Sequence, residues 1–119
     1  MSIKVSEISI YFPDPQPDET EPYCLFGEAR ARPGRGDALA ERLVSLVAPT
    51  RAESGMIAYH VHRDRNDGDL FRFYEAWASR EHLYDHLGQP YIQRFLAERF
   101  EYLAEDLQLQ FARMISAVG

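Results

Sequence analysis

The sequence predicts an α+β fold: an antiparallel sheet with helices packed on one face. Three observations carry that prediction. The chain has 119 residues, which suits a single domain large enough to build its own core. Two alternating apolar runs flank Asp64-Arg-Asn-Asp-Gly-Asp69, a segment dense in turn formers, and together they read as a β-hairpin. From Tyr23 onward, segments of strand period and helix period follow one another in the order β-α-β-β-α(α)-β.

Each element has its own signal. Ile3, Val5, Ile8, Ile10 and Phe12 alternate with polar residues, with a phase slip near Glu7, and predict a strand that is bulged or broken there. That strand is expected to add to an edge of its own sheet or a partner's. Pro13, Pro15, Pro17 and Pro22, with acids between them, read as a linker. Residues 1–22 are thus expected to be an N-terminal strand and Pro-rich linker, and residues 23–119 the compact domain. Tyr23 to Ala31 is strand-like and stops at Arg32-Pro-Gly-Arg-Gly36. Asp37 is expected to cap a helix whose buried face holds Leu39, Leu43, Leu46 and Val47. Pro49 should kink or end it, and Gly55 supplies a left-handed stop. Met56 to Arg63 and Leu70 to Trp77 are the hairpin strands. Ser79 caps a helix through Leu83 and Leu87, which Gly88 and Pro90 break. Ile92, Phe95, Leu96 and Leu103 mark a further amphipathic helix, and Leu107, Leu109 and Phe111 a last strand. This is the split-βαβ, ferredoxin-like order. It leaves one sheet face without helices, and a second subunit is the simplest cover for it.

Composition narrows the function. Lys+Arg 13 against Asp+Glu 19 gives a net charge of −6, which argues against nucleic acid and anionic membranes as partners. No apolar stretch approaches the roughly 18 residues of a membrane span. The N-terminus lacks the basic start and apolar run of a signal peptide, so a cytoplasmic protein is expected. The single Cys24 excludes an internal disulfide and a Cys-rich metal site. Aromatic residues reach 13%, enough to line a pocket as well as a core. Gly34 and Gly36 are too few and wrongly placed for a phosphate loop.

With Asp64 opposite Leu70, the hairpin register puts Ile57, Tyr59, Val61, Phe71, Phe73, Glu75 and Trp77 on one face. Met56, Ala58, His60, His62, Arg72, Tyr74 and Ala76 fall on the other. Glu75 is then a carboxylate among apolar neighbours and needs a donor, with Tyr59 or Arg51 as candidates. His86 lies near the border of its helix's buried face. His82 and His86 are spaced i, i+4, but no Glu follows His82 as in a zincin helix, and no metal is expected. His60 and His62 read as polar packing or interface residues.

Ala31-Arg-Pro-Gly34, Thr50-Arg51-Ala-Glu53-Ser-Gly55, Tyr59-His-Val-His-Arg-Asp64, Phe73-Tyr-Glu75-Ala-Trp77 and His86-Leu, in this order, closely resemble the antibiotic biosynthesis monooxygenase family, in its quinol-monooxygenase-like members. The likeness runs from about Tyr23 to the C-terminus. It implies a dimeric α/β barrel of two ferredoxin-like units packed sheet to sheet, with a pocket between sheet and helices in each subunit. It also implies a homodimer that oxidises a small aromatic quinol or polycyclic phenol with O2 and without a cofactor. Carried onto this chain, the catalytic residues are His86, Glu75, Trp77 and Tyr59, and Phe73, Leu83, Tyr91 and Phe95 form the substrate pocket. The haem-degrading branch fits less well: the first core strand has no asparagine, and the helix from Tyr91 to Tyr102 has no histidine. The chain departs from many members by carrying Tyr91 after Pro90. His86 is expected to take a phenolic proton, since an imidazole suits a base at neutral pH. Two alternatives use the same pocket: a non-catalytic dimeric module that binds a small molecule, and an isomerase using the same His and Glu.

Overall fold

The computed structural model describes residues 2–4, 11–16, 21–116 and 118. Strands β1 (Ser2–Lys4) and β2 (Tyr11–Pro13) pair antiparallel as a two-stranded ribbon, with Ile3 opposite Phe12. The rest follows the expected order: β3 (Tyr23–Arg30), α1 (Gly36–Val44), α2 (Val47–Arg51), β4 (Met56–Arg63), β5 (Leu70–Trp77), α3 (Arg80–Leu87), α4 (Pro90–Glu98), a 3-10 turn at Arg99–Glu101 and β6 (Gln108–Arg113). The main sheet has the order β4-β5-β3-β6, every pair antiparallel. This is the α+β, ferredoxin-like architecture. The sheet is open rather than closed into a barrel. Among the described residues, no helix is long and apolar enough to cross a membrane.

Among the described residues, the ribbon joins neither edge of this chain's own main sheet. The residues around the phase slip, and residues 17–20 of the linker, lie outside the described residues. Phe12, expected on an outlying segment, is fully buried. It packs in one core cluster with Tyr23, Leu25, Trp77, Leu83 and Leu87. A second cluster joins Leu39 and Leu43 of α1, and Leu46 at the break before α2, to Ile92, Phe95 and Leu96 of α4 over Ala29 and Phe71 of the sheet.

Three local expectations need correction. Asp37 does not cap α1: Arg35 holds the cap position, and Asp37 sits in the first turn with its carboxylate 2.9 Å from Arg63. An acid there still favours the helix N-terminus. Pro49 lies inside the short α2, and the break falls at Ser45–Leu46. The proline ring excludes the carbonyl four residues back, so the interruption appears upstream of the proline itself. The third correction concerns register. Tyr59 opposes Glu75 and Val61 opposes Phe73 as expected, but Met56, not Ile57, opposes Trp77. A bulge between Met56 and Ala58 adds one residue to β4. Met56 therefore turns toward the Trp77 cluster, and Ile57 is exposed.

Cys24, Phe26, Arg72 and Tyr74 alternate onto the sheet face that the helices leave uncovered. There the Phe26 and Tyr74 rings pack 4.8 Å apart, and Phe26 remains 47% exposed.

Candidate active site

Two residues of β5 begin the site. Glu75 and Trp77 are two apart on a strand, so both point toward the helices. The Trp77 indole Nε1 donates to Glu75 Oε1 at 3.0 Å. This corrects the expected partners of Glu75. Among the described residues no hydrogen bond joins Glu75 to Tyr59 or Arg51, and the Arg51 guanidinium donates to the Tyr59 carbonyl at 2.7 and 3.1 Å.

Helix α3 delivers the imidazole. The Ser79 hydroxyl accepts from the His82 backbone N–H and fixes where the helix starts. Two turns later, His86 faces the sheet and is 2% exposed. Its ring packs on Trp77 with centroids 4.7 Å apart and planes 34° apart. His86 Nε2 stands 3.7 Å from Glu75 Oε1, beyond hydrogen-bond reach. His82 lies outside this group: its Nδ1 is 2.7 Å from Ser79 Oγ.

The loop after α2 completes the cluster. Gly55 adopts φ +78° there, and a Cβ at that position would meet the His82 ring at 2.3 Å. The tight turn swings Glu53 inward, where its Oε2 lies 2.7 Å from His86 Nδ1. Tyr91, at the start of α4, donates its phenolic proton to the same oxygen. The Tyr91 hydroxyl also lies 3.1 Å from Thr50 Oγ1. The Thr50 and Tyr91 hydroxyls thus lead to the Glu53 carboxylate.

Beside this cluster lies a hollow of about 50 Å³ between sheet and helices. Leu25, Val61, Phe73, Leu107 and Leu109 line it from the sheet side, and Leu43, Leu46, Ile92, Phe95 and Leu96 from the helix side. Its polar lining is Tyr59, Glu75 and His86. The wall therefore includes Phe73 and Phe95 as expected, but not Leu83 or Tyr91. Leu83 is fully buried in the Phe12–Trp77 cluster, and Tyr91 turns its hydroxyl to Glu53. Trp77 also stands off the hollow, behind His86 and Glu75.

Burial dominates the electrostatics. It pushes the Glu75 carboxyl above the usual range, with the nearby Glu53 adding to the rise. His86 and the indole hydrogen bond oppose this. Burial likewise pushes the Tyr59 and Tyr91 phenols up, so both stay protonated. Two residues of the cluster, Glu53 and Thr50, were not among those expected from sequence. Glu53 was legible only as part of the Thr-Arg-x-Glu-x-Gly run, since a loop residue has no periodicity to reveal its direction.

The antibiotic biosynthesis monooxygenase family model matches residues 22–98. Rv0793 of Mycobacterium tuberculosis, whose name gives it provisionally as a monooxygenase, is 32% identical over 88 residues, covering 74% of this chain and 86% of that protein. The uncharacterized protein sll1783 of Synechocystis is 23% identical over 94 residues, 79% of this chain. The match spans only 64% of that protein's length. The crystal structure of PA3566 from Pseudomonas aeruginosa superposes with a TM-score of 0.76 at 31% identity, covering 82% of this chain and 97% of that one.

Proposed function

The chain belongs to the antibiotic biosynthesis monooxygenase family, and from that premise we propose that it oxidises a small electron-rich phenol or quinol with O2, using neither metal nor flavin. One observation carries the reading: an apolar hollow whose polar groups, Tyr59, Glu75 and His86, cluster together beside a buried indole. Such a site suits a flat apolar molecule with one ionisable oxygen.

His86 Nε2 takes the phenolic proton. The phenolate formed is electron-rich enough to pass an electron to O2. The two radicals then join at a ring carbon that bears hydrogen, and His86 returns its proton to the peroxide so formed. Cleavage of the O–O and C–H bonds then expels water and leaves a new carbonyl. One oxygen atom stays in the product, and the other leaves as water. Phe73 and Phe95 hold the ring, and the leucine wall keeps bulk water away from the radical pair. Trp77 supports His86 and Glu75 from behind rather than stacking on the substrate. Ligand pockets typically measure at least about 300 Å³, so a ring enters only as side chains of α1 and α4 swing aside. The same reading pairs the uncovered sheet face with a second copy of the chain, making a homodimer, and places the protein in the reducing cytoplasm with Cys24 as a thiol.

Oxygen uptake with an anthrone or hydroquinone panel tests the proposal. The wild-type protein is expected to consume O2, and a folded His86→Ala protein to lose at least about 100-fold in rate. Unchanged turnover in that variant would remove His86 from the scheme.

A further inference from the structure

We propose that Glu53 is a positioning residue: its carboxylate holds the proton of His86 on Nδ1 and so leaves Nε2 as the basic nitrogen facing Glu75 and the hollow. The inference rests on the reading of His86 as the base, but it concerns which atom of His86 acts.

The geometry is one-sided. Nδ1 lies 2.7 Å from Glu53 Oε2, an ordinary hydrogen bond to an acceptor-only group. Nε2 lies 3.7 Å from Glu75 Oε1 and, among the described residues, makes no hydrogen bond. A neutral imidazole carries one N–H, and it places that proton where the stronger acceptor waits. Glu75 Oε1 is the weaker competitor, because it already accepts from the Trp77 indole. Glu53 is itself held in place: Tyr91 donates to the same Oε2, and Thr50 lies within hydrogen-bond distance of the Tyr91 hydroxyl. The carboxylate therefore cannot swing off Nδ1 without breaking a second bond. The stack on Trp77 fixes the plane of the ring and opposes a flip that would exchange the two nitrogens.

Among the described residues, four titratable groups face the ring through hydrogen bonds, ion pairs or ring contacts: Glu53, Glu75, Tyr59 and Tyr91. Glu53 is on the Nδ1 side and Glu75 on the Nε2 side, with Tyr59 and Tyr91 at ring distances of 6.0 and 6.4 Å. A carboxylate behind an imidazole in this way selects its tautomer in unrelated sites.

Long-range proton–nitrogen correlation spectra of the 15N-labelled protein read the tautomer directly, with His86→Gln assigning the ring by the signals it removes. The wild-type ring is expected to show a protonated Nδ1 and an unprotonated Nε2. Glu53→Gln, which keeps a carbonyl acceptor, is expected to preserve that pattern. Glu53→Leu is expected to invert it, moving the proton to Nε2 beside Glu75. An Nε2–H tautomer in the wild type overturns the proposal, as does a doubly protonated ring persisting at pH 9. An unchanged Nδ1–H in Glu53→Leu does so too. The wild-type spectrum can overturn it alone, even if the leucine variant does not fold. The readout needs no substrate, so absent oxygen uptake with the expected tautomer sinks the oxygenase reading and leaves this one standing.

Discussion

Phe12 lies outside the matched family region, yet it is fully buried against the Trp77 cluster. Its ring meets Tyr84 and Phe111 edge-on at 5.5 and 5.7 Å, and the Arg80 guanidinium stands 4.4 Å over it. Phe12→Ala removes all of these contacts. Core Phe→Ala changes cost about 3–5 kcal/mol. A 119-residue domain is worth roughly 6–18 kcal/mol in total, so the loss is a large fraction of it. At about 3–5 °C per kcal/mol for this size, the melting temperature should fall by about 10–25 °C. The ribbon can also peel away without the domain unfolding, which limits the global loss but leaves Tyr23 and the Trp77 cluster open to water. Trp77 is the single tryptophan, so its emission separates the two routes. Urea denaturation followed by that emission is the assay. Either a large drop in midpoint or a native-state red shift is expected. A loss under about 1 kcal/mol with unshifted emission would mean that residues 11–13 hang free of the domain, and the packing argument fails.

Two further outcomes follow from close contacts and exposure. A Cβ at Gly27 would lie 2.1 Å from the Phe73 ring, so Gly27→Ala should drive that ring toward the hollow it lines. It should cost about 1–3 kcal/mol in urea denaturation, and a variant as stable as wild type would refute the contact. If the uncovered sheet face is a dimer interface, Phe26→Glu puts a charge at its aromatic centre. Light scattering should then give half the wild-type mass, whereas an unchanged dimer mass would put the interface elsewhere.

The hairpin was legible almost residue by residue, because the Asp64–Asp69 turn and strict alternation fix register over β4 and β5. Ile57 was misplaced for the same reason: alternation cannot announce a bulge, and one extra residue reverses every side chain beyond it. Glu75 could be recognised as a buried carboxylate, but not paired. Its true donor, Trp77, sits two residues along the same strand, whereas the expected donors, Tyr59 and Arg51, lie on the facing strand and in α2. Glu53 escaped because its direction depends on the left-handed turn at Gly55 and on a helix that arrives some thirty residues later. The proline-rich start pointed to a linker, and composition of that kind says nothing of where one phenylalanine anchors. The resemblance put Leu83 in the pocket wall, but its side chain is fully buried against Phe12 and Trp77 and does not line the hollow.

The buried cluster sets two carboxylates around one imidazole, and these cannot all be charged at low cost away from water. Burial favours the neutral form of Glu75. That side chain is 4% exposed, its carboxyl is pushed up by burial and by the charge of Glu53, and only one of its oxygens receives the indole donor. Glu53, by contrast, accepts from both Tyr91 and His86. A group whose folded pKa is raised stabilises the protein below its unfolded value and loses that contribution as pH rises through the folded one. Wild-type stability should therefore fall as pH climbs out of the ordinary glutamate range. Glu75→Gln keeps a carbonyl acceptor for the indole and has no proton to lose, so its stability should run flat over the same window and exceed wild type at the upper end. Urea midpoints measured across pH 4 to 9 for both proteins test this. Parallel curves would mean that Glu75 ionises as easily folded as unfolded, and the acid placed beside the Nε2 of His86 would then be absent.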